Sequence, residues 1–225
     1  MLAIKVSMWL LRVKTCLCMM MFFLIITEEQ RLQRGWFTRT LNTSIMRPIE
    51  ISDFNAADEF VVEAMMQDGK FKVIGKVIID NNLLNDDDLE TIFLSCKNAI
   101  ITVGQIKTND LRVKLFDKSK NIGFNLPVII SSLAYVSKHS FIEEGTVIMH
   151  HALVNANVKI GKNCIINSKA LIEHDCIIGN NCHISTASVI NGGVVVKDNT
   201  FFGSNATSKQ AIEIAGFIKA GSLVK

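Results

Sequence analysis

The sequence has no closely spaced set of metal-ligating residues. Its cysteines include no Cys-x-x-Cys pair and no Cys/His spacing typical of a zinc site; the six stand at positions 16, 18, 96, 164, 176 and 182. We therefore predict free cysteines, no metal cofactor and a reducing, cytoplasmic location.

Basic residues are not concentrated in the part of the chain that resembles a folded protein. The net charge is +3, and residues 1–47 carry seven Lys or Arg against two Glu, which leaves seventeen basic and nineteen acidic residues in 48–225. This distribution excludes an electrostatic footprint for nucleic acid.

The longest apolar run is also too short to cross a membrane alone. It covers the eleven residues 16–26 and follows Lys5, Arg12 and Lys14, whereas a spanning helix needs about 20. Residues 1–45 are best explained as a poorly structured extension upstream of a natural start at Met46. Two alternatives stay open, a membrane anchor formed by residues 9–26 and a cleaved signal peptide.

Residues 46–130 alternate between helical and extended patterns. Helices are predicted at 55–66, 86–96 and 109–121, the last closed by Gly123, and strands at 73–80, 99–103 and 127–130. The alternation predicts a small α/β domain with a doubly wound parallel sheet, whose ligands bind at the carboxyl ends of the strands. Asp80 and Asn81 are therefore expected to bind substrate, with Gly104 at a similar end. Their alternative role is that of ordinary turn residues.

Residues 131–225 repeat with a period of six. A large apolar residue occupies every sixth position from Ile130 to Phe202, and a small or β-branched residue follows each of them by four. Neither an amphipathic helix nor a half-exposed strand has this period. A six-residue repeat is typical of a left-handed parallel β-helix, in which eighteen residues make one triangular coil.

The register breaks once. A step of ten separates Phe202 from Ile212, so residues 207–210 are predicted to bulge out as a loop before the register resumes at Ile212, Ile218 and Val224. The chain ends one residue after Val224.

His174 is the histidine best placed for acid–base chemistry. It lies between Glu173 and Asp175, where a carboxylate can fix the tautomer and raise the basicity of the imidazole. The alternative is a solvated surface histidine.

His183 lies nine residues later, half a coil away, so the two histidines project from different sides of the prism and can converge only between protomers of an assembly such as a trimer. Gly192 lies half a coil beyond His183, where glycine permits close approach of a ligand to the backbone.

Residues 46–225 resemble the sugar acetyltransferases of the sialic-acid and bacillosamine biosynthesis type. The matching motifs are Leu171–Cys176 with His183-Ile184-Ser185, and Ile100–Gly104 followed by Leu111-Arg112. The resemblance implies a homotrimer that uses acetyl-CoA and no metal. It also implies that His174 is the general base, supported by Asp175, that His183 contacts acetyl-CoA, and that Gly192 and Ser204 contact the thioester and pantetheine arm.

We therefore predict an enzyme that moves an acetyl group from acetyl-CoA to an amino or hydroxyl group of a sugar or nucleotide sugar. A rival hypothesis is a catalytically weak, scaffold-type trimeric β-helix protein. One feature supports the rival: residues 52–58 contain Asp53 and Asp58 but none of the glycines that the family places in its nucleotide-sugar loop, whereas the intact Glu173-His174-Asp175 and His183 support the enzyme. The C-terminal tail of the family, which helps to enclose the cofactor, has no counterpart after Val224.

Overall fold

The computed structural model describes residues 21–28, 71–79, 86–95 and 97–225. The predicted helix at 55–66 and the candidate substrate residues Asp80 and Asn81 lie outside the described residues. None of the helices in the described ranges is long and apolar enough to cross a membrane.

The N-terminal elements form a small sheet flanked by two helices. Strand β1 (Met21–Glu28) is followed by β2 (Phe71–Ile79), helix α1 (Asp86–Ser95), β3 (Asn98–Ile101) and helix α2 (Asp110–Ile122). Helix α2 ends as predicted at Gly123, whose φ of 105° is in the left-handed region and whose amide donates to the carbonyls of Ser119 and Lys120.

The pairing in this sheet differs from the parallel sheet that the sequence predicts. Strand β1 lies between β2 and β3 and is antiparallel to both. Strands β2 and β3 therefore run in the same direction, as expected, but they do not pair with each other. The reason is that residues 21–28, which the sequence analysis placed in an N-terminal extension, supply the central strand.

Residues 129–224 form a triangular parallel β-helix built from two-residue strands. In chain order these are β4 (Ile129–Ile130), β5 (Tyr135–Val136), β6 (Phe141–Ile142), β7 (Val147–Ile148), β8 (Leu153–Val154), β9 (Lys159–Ile160), β10 (Ile165–Ile166), β11 (Leu171–Ile172), β12 (Ile177–Ile178), β13 (His183–Ile184), β14 (Val189–Ile190), β15 (Val195–Val196), β16 (Phe201–Phe202), β17 (Thr207–Ser208), β18 (Glu213–Ile214), β19 (Phe217–Ile218) and β20 (Leu223–Val224).

Every third strand belongs to the same face of the prism. The first face contains the six strands from β4 to β19, the second the six from β5 to β20, and the third the five from β6 to β18. Each strand from β4 to β15 pairs in parallel with the strand eighteen residues later, as in Ile148 with Ile166 and Ile166 with Ile184. The predicted coil length is therefore confirmed.

The inside of the prism contains the residues that the double register selects. The large apolar residues from Ile148 to Phe202 are each at most 2% exposed, and the small residues from Thr146 to Ala206 are at most 1% exposed. Among the small ones, Cys164, Cys176 and Cys182 are buried free thiols, as predicted, and each bonds a backbone carbonyl about one coil away.

From residue 145 to residue 211, each corner of the prism has one residue with positive φ. This conformation costs a side chain other than glycine about 1–2 kcal/mol, and asparagine tolerates it better than most residues. It recurs every six residues, at Gly145, His151, Asn157, Asn163, Lys169, Asp175, Asn181, Ala187, Gly193, Asn199, Asn205 and Ala211. The corners thus explain the frequent Asn and Gly in this part of the sequence.

The predicted loop at 207–210 is wrong. Residues 207–208 form the regular strand β17, and the buried Ser208 takes the inward position that an apolar residue takes in other coils. Its hydroxyl accepts a hydrogen bond from the Asn191 amide at 2.9 Å. Ile214 lies beside Val196, eighteen residues earlier in the chain. Ile218 lies beside Phe202, only sixteen residues earlier, so the corner between β18 and β19 is two residues shorter than the others. A polar residue at an inward position concealed this register.

Arg112 connects the small domain to the β-helix. Arg112 is 1% exposed, and its guanidinium donates to the carbonyls of Ile101 and Val103 at 2.8 Å and to those of Asn163 and Gly145 at 3.2 Å. Burial lowers the pKa of Arg112 to about 10. The loop after β3 is thereby held against the first face of the prism.

Candidate active site

His174 lies at the corner between the second and third faces, directly after β11. Its Nδ1 is 2.7 Å from Oδ2 of Asp175, the corner residue with φ of 61°. The other carboxylate oxygen of Asp175 accepts a hydrogen bond from Nδ2 of Asn157 at 2.7 Å. The bonds from Asn157 and His174 lower the pKa of Asp175, so a charged acceptor faces Nδ1. A proton on Nδ1 leaves the Nε2 lone pair as the basic site.

Glu173 is held by a different partner. Its Oε2 accepts a hydrogen bond from Nδ2 of Asn155 at 2.9 Å, one coil earlier. Of the two carboxylates that flank His174, only that of Asp175 forms a hydrogen bond with the imidazole among the described residues.

Gly192 provides the space in front of His174. A Cβ atom at this position would lie 2.9 Å from Nε2 of His174. Within the described residues no hydrogen bond uses the Gly192 amide, whereas the amide of Ala156 at the same corner is bonded to Asn155 Oδ1 at 2.9 Å. A solvent-accessible depression of about 450 Å³ lies over His174, Asp175 and Gly192. A base and a free N–H donor are therefore adjacent.

His183 is placed elsewhere, on the outside of the first face. It is 7% exposed, and its Nδ1 donates to the backbone carbonyl of Gln105 at 2.5 Å. Its Nε2 lies 3.1 Å from Nδ2 of Asn167 and accepts from it. Burial lowers the pKa of His183 to about 4. His183 is thus a neutral imidazole with both nitrogens bonded, and it borders a cavity of about 360 Å³ that also contacts Gly104 and Arg112.

Ser204 lies at the corner between the first and second faces. Its hydroxyl is 2.8 Å from that of Ser185, two residues after His183. The structure therefore brings His174, Asp175 and Gly192 together at one corner, and it places His183 and Ser204 on and beside the first face. Sequence reasoning missed Asn157, although its spacing of eighteen residues from Asp175 is one coil and could have identified it.

The chain is similar to known acyltransferases. The bacterial transferase hexapeptide family (six repeats) matches residues 139–174. The structure of PerB from Caulobacter crescentus with CoA and GDP-perosamine is 28% identical, with a TM-score of 0.66, covering 76% of this chain and 85% of that one. The structure of a histidine-to-alanine variant of the GDP-perosamine N-acetyltransferase from Caulobacter crescentus is 26% identical with a TM-score of 0.67, and it also covers 76% of this chain and 85% of that one.

The acetyltransferase domain of PglB from Neisseria gonorrhoeae is a further match. It is 28% identical with a TM-score of 0.52, and the alignment covers 53% of this chain and 60% of that domain. The same domain has been solved with acetyl coenzyme A. No curated protein matches the sequence.

These matches confirm the predicted resemblance to sugar acetyltransferases and the left-handed parallel β-helix. Two of the matched structures are complexes with CoA or acetyl coenzyme A, in agreement with the predicted co-substrate and enzyme class.

Proposed function

We propose that this protein transfers the acetyl group of acetyl-CoA to the amino group of a nucleotide-linked amino sugar, with His174 as the general base. The observation that carries the proposal is the His174 imidazole, whose Nδ1 faces Asp175 and whose Nε2 faces the space left by Gly192. It lies on a β-helix that matches the fold of enzymes acting on such a sugar.

The geometry suits attack by an amine on a thioester. As the amine nitrogen bonds to the acetyl carbon, Nε2 of His174 takes its proton, and the negatively charged Asp175 stabilises the imidazolium that results. The developing oxyanion can accept a hydrogen bond from the free Gly192 amide. Collapse of the tetrahedral intermediate breaks the carbon–sulfur bond, and the imidazolium returns the proton to the CoA thiolate.

A homotrimer accounts for the separation of His174 and His183. The second face, which ends at the His174 corner, presents apolar side chains outward, with Tyr135 60% and Leu223 64% exposed and Leu153 between them in the register. Exposed apolar side chains along one face are typical of a protein interface. A neighbouring protomer packed on it would bring its first face, with His183 and Ser204, towards His174.

The remaining assignments follow from this reaction. His183 and Ser204 would contact acetyl-CoA, and Asp80 and Asn81 would contact the acceptor sugar. The buried thiols of Cys164, Cys176 and Cys182 suit a reducing cytoplasm, where we place the activity.

Acetyl transfer can be tested directly. The full chain is incubated with acetyl-CoA and a panel of nucleotide-linked amino sugars that includes GDP-perosamine, and both the release of free CoA thiol and the acetylated product are measured. We expect turnover with the wild type and with the control variant His139→Ala, whose imidazole is exposed on a different coil, but not with His174→Ala. Binding of acetyl-CoA without transfer to any acceptor would favour the scaffold hypothesis instead.

A further inference from the structure

Asparagine occurs three times at the position that follows an inward residue and precedes a corner of the prism, at 155, 167 and 191. Asn155 and Asn167 act in the same way, because the Oδ1 of each accepts a hydrogen bond from the amide of the next residue, at 2.9 and 2.7 Å. Each side chain thus caps the first amide of its corner. The same cap is expected from Asn191, which directly precedes Gly192.

The side chain of Asn191 contacts the next coil instead. Its Nδ2 donates to the backbone carbonyl of Ser208 at 2.5 Å, and no hydrogen bond among the described residues joins its Oδ1 to the Gly192 amide. Nδ2 must be the atom that faces the carbonyl, because Oδ1 in its place would set two acceptors against each other. The amide of Gly192 is therefore left free in front of His174.

The hydroxyl of Ser208 makes this arrangement possible. In a regular coil the amide at this position donates to the carbonyl of the inward residue one coil later, as Glu173 does to Ile190 at 2.9 Å. The amide of Asn191 donates to Ser208 Oγ instead, at 2.9 Å. The pairing of β14 with β17 accordingly includes Val189 but not the inward residue that follows it. The Ser208 carbonyl is thereby left to the Asn191 side chain.

An apolar residue at 208, such as those at the other inward positions of this face, would not hold Asn191 in this way. Ile172 and Ile190 are examples, and both are fully buried. Without the hydroxyl, the Asn191 amide would stay buried and unpaired at a cost of about 1–3 kcal/mol, or it would return to the carbonyl of residue 208. That return displaces Nδ2 and releases the side chain to cap Gly192, as Asn155 caps its own corner.

We propose that Ser208 is a positioning residue for acetyl transfer, because its hydroxyl holds the Asn191 side chain away from Gly192 and so keeps the Gly192 amide free for the oxyanion. The inference rests on the proposed function, in which this amide donates to the tetrahedral intermediate. Ser208 is 1% exposed and acts only through Asn191. Its position also gives a reason for a polar residue inside the prism.

The test uses the full chain with substitutions at three positions. Ser208→Val matches the apolar residues at other inward positions, Ser208→Ala removes the hydroxyl without adding volume, and Ser208→Thr keeps it. The double variant Ser208→Val with Asn191→Ala also removes the side chain that would form the cap. Thr200→Val is the matched control, because it deletes another hydroxyl from inside the prism, one that is 0% exposed and bonded to the Lys197 carbonyl at 2.6 Å.

Three quantities are measured for each variant: kcat from the release of CoA, acetyl-CoA affinity by calorimetric titration, and hydrogen exchange of the Gly192 amide by mass spectrometry. Since one oxyanion donor contributes on the order of 10²–10³ in kcat, we expect Ser208→Val and Ser208→Ala to lose at least about tenfold. Their acetyl-CoA affinity should stay within twofold of the wild type. The Gly192 amide should exchange rapidly in the wild type and slowly in these two variants.

Rescue separates positioning from a merely structural role. Ser208→Thr and Thr200→Val should keep the kcat and the exchange of the wild type. Adding Asn191→Ala to Ser208→Val should restore rapid exchange at Gly192 and raise kcat again by at least about fivefold, because the donor is uncovered. Loss of packing around residue 208 would not be repaired by a second truncation.

The inference is overturned if Ser208→Val and Ser208→Ala both keep kcat within twofold of the wild type, or if Asn191→Ala restores neither the kcat nor the exchange that Ser208→Val changes. The proposed function is judged separately, by acetyl transfer in the wild type. Turnover that is insensitive to residue 208 removes only the role of Ser208. In a wild type without turnover, protection of Gly192 in Ser208→Val alone supports the control of this amide by Ser208 and removes only the transferase.

Discussion

Replacing Gly192 with alanine tests the role of His174 without touching its imidazole. The new Cβ would lie 2.9 Å from Nε2, whereas an ordinary contact needs about 3.5 Å. The ring must therefore withdraw by roughly 0.5 Å or more, against its hydrogen bond to Asp175. Because a misplacement of about 1 Å can cost on the order of 10² in rate, we expect kcat to fall about 10- to 100-fold.

The fold should tolerate this substitution. Gly192 does not have a positive φ, and Ala156 occupies the same corner two coils earlier. A glycine-to-alanine change at a compatible position stabilises a protein by about 0.4–1 kcal/mol. The thermal midpoint of Gly192→Ala should accordingly equal or exceed that of the wild type, and a lower kcat cannot then be attributed to unfolding.

The adjacent Gly193 provides the opposite control. It has a φ of 71°, and a Cβ there would meet only Ala211 atoms, at 3.8 Å. Gly193→Ala should lose about 1–2 kcal/mol of stability and keep its kcat per folded molecule. Both variants are measured by calorimetric unfolding and by steady-state release of CoA. If Gly192→Ala kept kcat within twofold of the wild type, Nε2 of His174 would not be the base.

Four further outcomes are expected. His174→Ala should lower kcat about 10²- to 10⁴-fold with little change in acetyl-CoA affinity, measured by steady-state kinetics and calorimetric titration. Asp175→Asn should lower kcat less, because the imidazole remains and only the charge beside it is lost; an equal loss would contradict this. The free energy of unfolding should fall by about 3 kcal/mol as pH drops from about 6.5 to about 4. The reason is that His183 binds a proton near its ordinary pKa of 6.5 in the unfolded chain but only near a pKa of about 4 in the folded protein. In thermal melts at a series of pH values, His183→Asn should reduce the dependence of stability on pH. If the variant keeps the dependence of the wild type, other groups are responsible for it. Ile166→Asp should abolish folding by circular dichroism, whereas Ile177→Asp, on the exposed outer surface, should fold; a folded Ile166→Asp would contradict the buried register.

The β-helix could be predicted because its structure depends on a local rule repeated many times. Each coil uses the same inward positions, so one exception does not hide the pattern. The rule failed at Ser208, a polar residue at an inward position whose hydroxyl accepts a hydrogen bond from the backbone amide of Asn191 in the preceding coil. The periodicity of apolar residues carries no information about such a bond. The small domain was harder, because the pairing of β1 with β2 and β3 joins segments far apart in sequence.

The candidate site was predictable in part for the same reason. The Glu173-His174-Asp175 motif is continuous in sequence, and the structure adds the distance and the second partner, Asn157. The environment of His183 was not predictable, because its partner Gln105 is 78 residues away in the chain. Sequence spacing assigns a residue to a face of the prism but does not say what covers that face.

The corner geometry of the β-helix explains how the proposed base, His174, can be held so simply. Every corner from residue 145 to residue 211 has a residue with positive φ, and Asn fills that position at 157, 163, 181, 199 and 205. At 175 the position is filled by Asp, which satisfies the same backbone requirement and adds a negative charge. The stacking of coils then places Asn157 directly beside Asp175, so one carboxylate oxygen is bonded by the coil before it and the other is left for His174. A single difference within a structural repeat, a carboxylate in place of an amide, thus gives the His174 imidazole its hydrogen-bond partner.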